Sequence, residues 1–199
     1  MIKMNKPEVE VSYKISKTVE TAIGFWRGDV DENEQYVLLT NGMENWKVQD
    51  KTKSKLYLFT LDGELKWSYA MGNESWGADL SRDGKYAAYV TSNNTDTLGV
   101  LDTATGKPIW VKKASDYKPV GYTGSVVEGV ENKEIQISSS SKYVAIGDAM
   151  GNVFLTELLT GKILWIQSDI KCMVRRIVFD KADRYMYVGS GMGMHTSWM

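Results

Sequence analysis

Three segments of the chain set a glycine turn four residues ahead of a tryptophan. Leu101-Asp102-Thr103-Ala104-Thr105-Gly106-Lys107-Pro108-Ile109-Trp110 is the fullest copy. Glu157-Leu158-Leu159-Thr160-Gly161-Lys162-Ile163-Leu164-Trp165 is the second, and Leu61-Asp62-Gly63-Glu64-Leu65-Lys66-Trp67 is a shortened third. A fixed offset inside a unit that recurs every few tens of residues is the signature of a repeat architecture, in which each unit must cover its neighbour's apolar face. That constrains the fold far more than it constrains the ligand.

A second element precedes each of these turns. An apolar residue, a short polar stretch and then a tyrosine opening a β-rich run occur at Val30–Leu39, Leu80–Tyr89, Ile137–Ile146 and Phe179–Val188. Tyr36, Tyr86, Tyr143 and Tyr185 are therefore equivalent, at separations of 50, 57 and 42 residues. Short Val-, Ile- and Tyr-rich runs bounded by Gly, Asp and Ser read as strands. Each repeat offers four. Strand A ends at the polar turn, B starts at the tyrosine, C runs into the glycine turn (Leu56–Leu61, Leu98–Asp102, Val153–Leu158), and D carries the tryptophan. No segment has the apolar stripe of an amphipathic helix.

A four-stranded antiparallel unit of roughly 40–45 residues is the period of a β-propeller blade. The fold expected is all-β, a β-propeller or propeller fragment of about four blades. Residues 1–20 form an N-terminal strand or extension that completes the last blade, with Val9–Ile15 as its alternating stretch. Residues 21–72, 73–115 and 116–170 form three blades, and 171–199 a partial fourth with a tail. Either the ring closes with terminal strands sharing a blade, or the chain is a fragment, or two chains pair open edges as a homodimer.

The Asp-x-x-Thr-Gly-Lys-x-x-Trp pattern resembles the tryptophan-docking repeat of quinoprotein-like (PQQ-like) β-propellers. Ser81-Arg82-Asp83-Gly84-Lys85-Tyr86 also resembles WD-repeat-like blades. The resemblance covers about Thr21 to Gly193. It implies that Trp67, Trp110 and Trp165 pack between neighbouring blades while Gly63, Gly106 and Gly161 close the C–D turns. It also brings in pyrroloquinoline quinone and calcium, but by resemblance only. Many quinone enzymes of this type hold the cofactor with a disulfide of adjacent cysteines, a calcium ion and a catalytic Asp. Here Cys172 is the only cysteine, so no such disulfide forms. No cofactor is expected. Asp29-Val30-Asp31-Glu32-Asn33 opens like a calcium loop, yet Glu34 and Thr40 stand where the loop needs Gly and Glu. It reads as a solvated acidic turn. Cys172 itself reads as a buried structural thiol.

Loops sort by face, because strand direction alternates. The A–B and C–D turns are short. The B–C and D–A connections hold the extra length: Asn41–Ser54 with Trp46, Thr91–Thr97, and Lys112–Asn132 with Tyr117 and Tyr122. Insertions in repeat proteins gather on the binding face, so a protein or peptide partner is assigned to the D–A/B–C face. Ten positions before the tyrosines stand Trp26, Trp76, Lys133 and Arg175. Two indoles and two cations at the channel mouth would suit a small anionic or cyclic ligand, the alternative reading as a ligand-binding or quinoprotein-type propeller.

Catalysis finds little support. His195 is the single histidine, and no nucleophile elbow is present. Met192, Met194, His195 and Met199 would suit a soft metal but read as a tail. Net charge is −1 over 199 residues, which gives no basic field for nucleic acid. No apolar stretch is long enough to span a membrane as a helix. Residues 1–20 lack the apolar core of a secretory signal, so the chain as written is expected in the cytoplasm. The reading is a non-catalytic binding or scaffolding module. The remaining alternative is a piece of a larger propeller without activity of its own.

Overall fold

A computed structural model describes residues 25–41, 54–72, 75–91, 97–113, 132–168, 170 and 172–191. Fourteen strands and no helix occur among the described residues. They form three four-stranded sheets and one two-stranded sheet, each an antiparallel meander in chain order. Sheet 1 comprises β1 (Phe25–Val30), β2 (Tyr36–Asn41), β3 (Lys55–Thr60) and β4 (Leu65–Ala70). Sheet 2 comprises β5 (Ser75–Leu80), β6 (Tyr86–Thr91), β7 (Thr97–Asp102) and β8 (Pro108–Lys113). Sheet 3 comprises β9 (Asn132–Ile137), β10 (Tyr143–Asp148), β11 (Val153–Glu157) and β12 (Ile163–Gln167). Sheet 4 has β13 (Met173–Phe179) and β14 (Met186–Gly191). The stretches around Val9–Ile15, Trp46, Tyr117, Tyr122 and His195 lie outside the described residues.

The sheets stack face to face. β6 is apolar on consecutive residues because both of its faces are covered, as a strand sandwiched between layers must be. Ala87 and Tyr89 join Leu38, Leu56, Leu58 and Leu101 in the core between sheets 1 and 2. Ala88 and Val90 join Val100, Ile135, Ile146 and Phe154 between sheets 2 and 3. Ala145 and Val153 join Val174, Ile177 and Phe179 between sheets 3 and 4. The first strands, β1, β5, β9 and β13, neighbour one another in that order, so they are the inner edge of the stack. No strand of sheet 1 pairs with one of sheet 4, and the described residues do not close into a ring.

Each recurring sequence element has a defined local job. In the A–B turns, Asp31, Ser81, Ser138 and Asp180 accept the backbone N–H of Tyr36, Tyr86, Tyr143 and Tyr185 at 2.7–3.2 Å. The residue two before each tyrosine is left-handed: Glu34, Gly84, Ser141 and Asp183 have φ of 54–69°. Asp31 is only 2% exposed, and its carboxylate is occupied by the N–H groups of Asn33, Gln35 and Tyr36. The solvated acidic turn expected there is instead a buried turn lock, because three backbone donors need an acceptor at that corner.

The C–D turns carry glycines at φ of 79°, 67° and 62° (Gly63, Gly106, Gly161). The tryptophan belongs to the preceding sheet's contact with that turn. Trp67 Nε1 donates to the Thr103 carbonyl at 2.7 Å, and Trp110 Nε1 to the Leu158 carbonyl at 2.6 Å. A Cβ on Gly106 would lie 2.7 Å from Trp67 Cγ, and one on Gly161 2.9 Å from Trp110. Glycine is thus required twice over, by φ and by the indole. Trp165 differs from its two equivalents: it is 42% exposed and no described turn receives it.

Candidate functional site

Trp26, Trp76, Lys133 and Arg175 share one structural property. Pairing jumps from Phe25 to Arg27, Ser75 to Gly77, Asn132 to Glu134, and Val174 to Arg176. All four are the extra residue of a β-bulge near the leading end of an innermost strand. A bulge re-aims the side chain it carries and marks places where sheets serve function. Two of these side chains meet. The Trp26 and Trp76 rings lie 5.4 Å apart at 75°, edge to face, and Trp26 remains 51% exposed. Arg175 passes its Cγ near the bare Cα of Gly191. For Lys133 the backbone position is described, and it is the equivalent one.

The residues just past the bulges converge along the inner edge of the stack. Nine positions before the tyrosines stand Arg27, Gly77, Glu134 and Arg176. The Glu134 side chain, 3% exposed, accepts from Arg27 Nη2 at 3.4 Å and Arg176 Nη1 at 3.1 Å. Arg27 Nε also donates to the carbonyl of bulged Trp76 at 3.1 Å. Gly77 lets β9 approach: a Cβ there would lie 3.1 Å from the Ile135 nitrogen and 3.3 Å from Glu134 Cα. Burial pushes the Glu134 carboxyl above its ordinary range, and the two guanidiniums pull it back in part.

Two residues further on, Asp29 and Asp79 form a second bridge. Asp29 Oδ2 accepts from Leu80 N at 2.9 Å, and Asp79 Oδ2 from Ile137 N at 2.6 Å. Each carboxyl thereby ties one inner strand to the next. The two carboxyl groups also lie close together. Burial first, then the Asp29 charge, raises the Asp79 carboxyl well above the carboxylate range.

A cavity of about 250 Å³ opens at the trailing ends of the inner strands. Asp29, Asp79, Gln136 and Arg176 line it from the four sheets, with Glu32 and Arg82 at its rim. Arg82 Nη1 pairs with Glu32 at 2.8 Å. The A–B turns at this end are stitched across sheets: Glu32 N donates to the Arg82 carbonyl, and Ser139 N and Ser140 N to Asp183 at 2.7 and 2.9 Å. Cys172, expected buried, is half-buried.

The sequence-derived set is thus brought together in part: Trp26 with Trp76 in contact, Arg175 and Lys133 at matching stations. Trp46, Tyr117 and Tyr122 fall outside the described residues. The inner-edge group of Arg27, Asp29, Asp79, Glu134 and Arg176 was missed by sequence reasoning. Its signal was available, since the tyrosine registration puts these residues nine and seven positions upstream. Among the described residues no cluster of three or more metal-ligating side chains occurs, and no helix is long and apolar enough to cross a membrane. No protein-family model matches the chain, and no curated protein matches it.

Proposed function

We propose that the chain is a β-propeller-type repeat module, of the kind found in quinoprotein-like and WD-repeat-like proteins, that works by binding rather than catalysis. Its partner is a protein or peptide, held at the bulge end of the inner strands. The observation that carries this is the Trp26–Trp76 pair, Trp26 exposed and Trp76 half-buried, presented by bulges that recur at one station of all four sheets. An exposed indole packed on a second one is the kind of anchor that interface hot spots are enriched in. The opposite end spends its polar groups on stitching turns and strands together, which leaves fewer of them for a partner.

Peptides selected from a random display library against the whole chain test this. Trp26→Ala should weaken the selected peptides by about tenfold or more, while the melting temperature moves by less than about 3 °C. Equal affinity for the variant refutes the reading.

A second reading, a small-ligand site, is favoured by the cavity at the trailing end. Small anions, pyrroloquinoline quinone and calcium should then raise the melting temperature, and Arg176→Ala should abolish that rise. No shift with any of them removes this reading.

A further inference from the structure

Resting on the second reading above, that the cavity at the trailing ends of the inner strands holds a small ligand, we propose that this ligand is a zwitterion, a free α-amino acid with a short aliphatic side chain. Every residue that lines the cavity is among the described ones. At about 250 Å³ it lies just below the usual span of ligand pockets, about 300–1,000 Å³, and suits a compact molecule. Its ionisable lining carries both signs, Asp29, Glu32 and Asp79 against Arg82 and Arg176. A ligand of one sign meets repulsion from about half of that lining. A ligand with an ammonium and a carboxylate on one carbon finds a counter-charge for each.

Asp29 and Asp79 are the acceptors for the ammonium. One oxygen of each is spent on a backbone N–H, Leu80 N at 2.9 Å and Ile137 N at 2.6 Å. Those bonds fix both carboxyls in place, and a carboxylate has lone pairs beyond them. Asp79 is 6% exposed, so water competes little for it. An ammonium between the two carboxyls also offsets their mutual repulsion, which adds to burial in raising Asp79. Arg176 is the clamp for the carboxylate. Its Nη1 donates to Glu134 at 3.1 Å, and the guanidinium fork has further N–H donors. Its charge acts on Asp79, so the two signs stand at short range, as they do across one α-carbon. Gln136 shares the station of Asp29 and Asp79, seven residues before its tyrosine, and brings a carboxamide that both donates and accepts. Leu80, Ile137 and Phe179 supply apolar wall for a short side chain.

The test is isothermal titration calorimetry of the full chain with valine and with two analogues that each lack one charge, isobutylamine and isovalerate. Valine should bind, and each analogue should bind about tenfold more weakly or worse, because it leaves one set of charged groups unanswered. Asp29→Asn keeps an oxygen for Leu80 N and removes the negative charge. It should weaken valine by about tenfold or more, while the melting temperature moves by less than about 3 °C. The proposal is overturned if valine does not bind, if either analogue matches it, or if Asp29→Asn binds valine as tightly as the wild type. If Asp29→Asn folds poorly, the three ligands on the wild-type chain decide alone. Stabilisation by an anion, the quinone or calcium without valine binding would keep the cavity reading and overturn this one.

Discussion

Replacing Asp79 with Asn should flatten the dependence of stability on pH without loosening the fold. Asp79 is 6% exposed, accepts the Ile137 N–H and lies beside the Asp29 carboxyl. Its folded-state pKa is raised, so its contribution is complete below the unfolded carboxyl range and is lost as pH rises toward the folded value. Through that window the folded chain holds one proton that the unfolded chain has released. Stability then falls by up to about 1.4 kcal/mol per pH unit, or about 3–6 °C in melting temperature for a chain of this size. Asparagine reproduces the protonated carboxyl, its oxygen accepting from Ile137 N and its amide donating to Asp29. The assay is urea denaturation from pH 4.5 upward, with the wild-type and Asp79→Asn slopes subtracted so that Glu134 and other carboxyls cancel. The variant should be comparable in stability at the acid end and more stable at neutral pH. Asp79→Ala should be about 1–3 kcal/mol less stable than Asp79→Asn at every pH, because Ile137 N is left without an acceptor. Identical slopes for wild type and Asp79→Asn would refute the reasoning from a raised Asp79 carboxyl.

Other substitutions probe the junctions. Gly147→Ala puts a Cβ 2.3 Å from Val174 Cγ1, where β10 meets β13, and should cost about 1–3 kcal/mol by thermal denaturation. Arg27→Ala with Arg176→Ala strands the buried Glu134 carboxylate and should be less stable than Glu134→Ala, which leaves two water-accessible guanidiniums. Trp110→Phe removes the indole bond to the Leu158 carbonyl and should cost about 1–2 kcal/mol. Trp165→Phe should fall within about 0.5 kcal/mol of wild type, because no described turn receives that indole.

What the sequence made legible is what repeats by identity. The tyrosines, turn glycines and tryptophans stand out because every junction needs the same shape at the same station. The inner-edge network was hidden because it is complementary rather than repetitive: at one station Arg27 and Arg176 satisfy Glu134, and Gly77 leaves room for its strand. The bulges leave only a slip of phase. In β13 the buried residues run Val174, Ile177, Phe179, a spacing of three and then two, which a plain alternation rule reads as noise. Asp31 was misread because an acidic turn looks solvated until its three backbone donors are placed.

The central claim divides the tryptophans by role, with framework at the glycine turns and recognition at the bulges. Melting temperature and affinity for a library-selected peptide, measured together on Trp110→Phe and Trp26→Ala, test it most directly. The account predicts a lowered melting temperature with unchanged affinity for Trp110→Phe, and the reverse for Trp26→Ala. Loss of stability in Trp26→Ala with peptide affinity retained would contradict it.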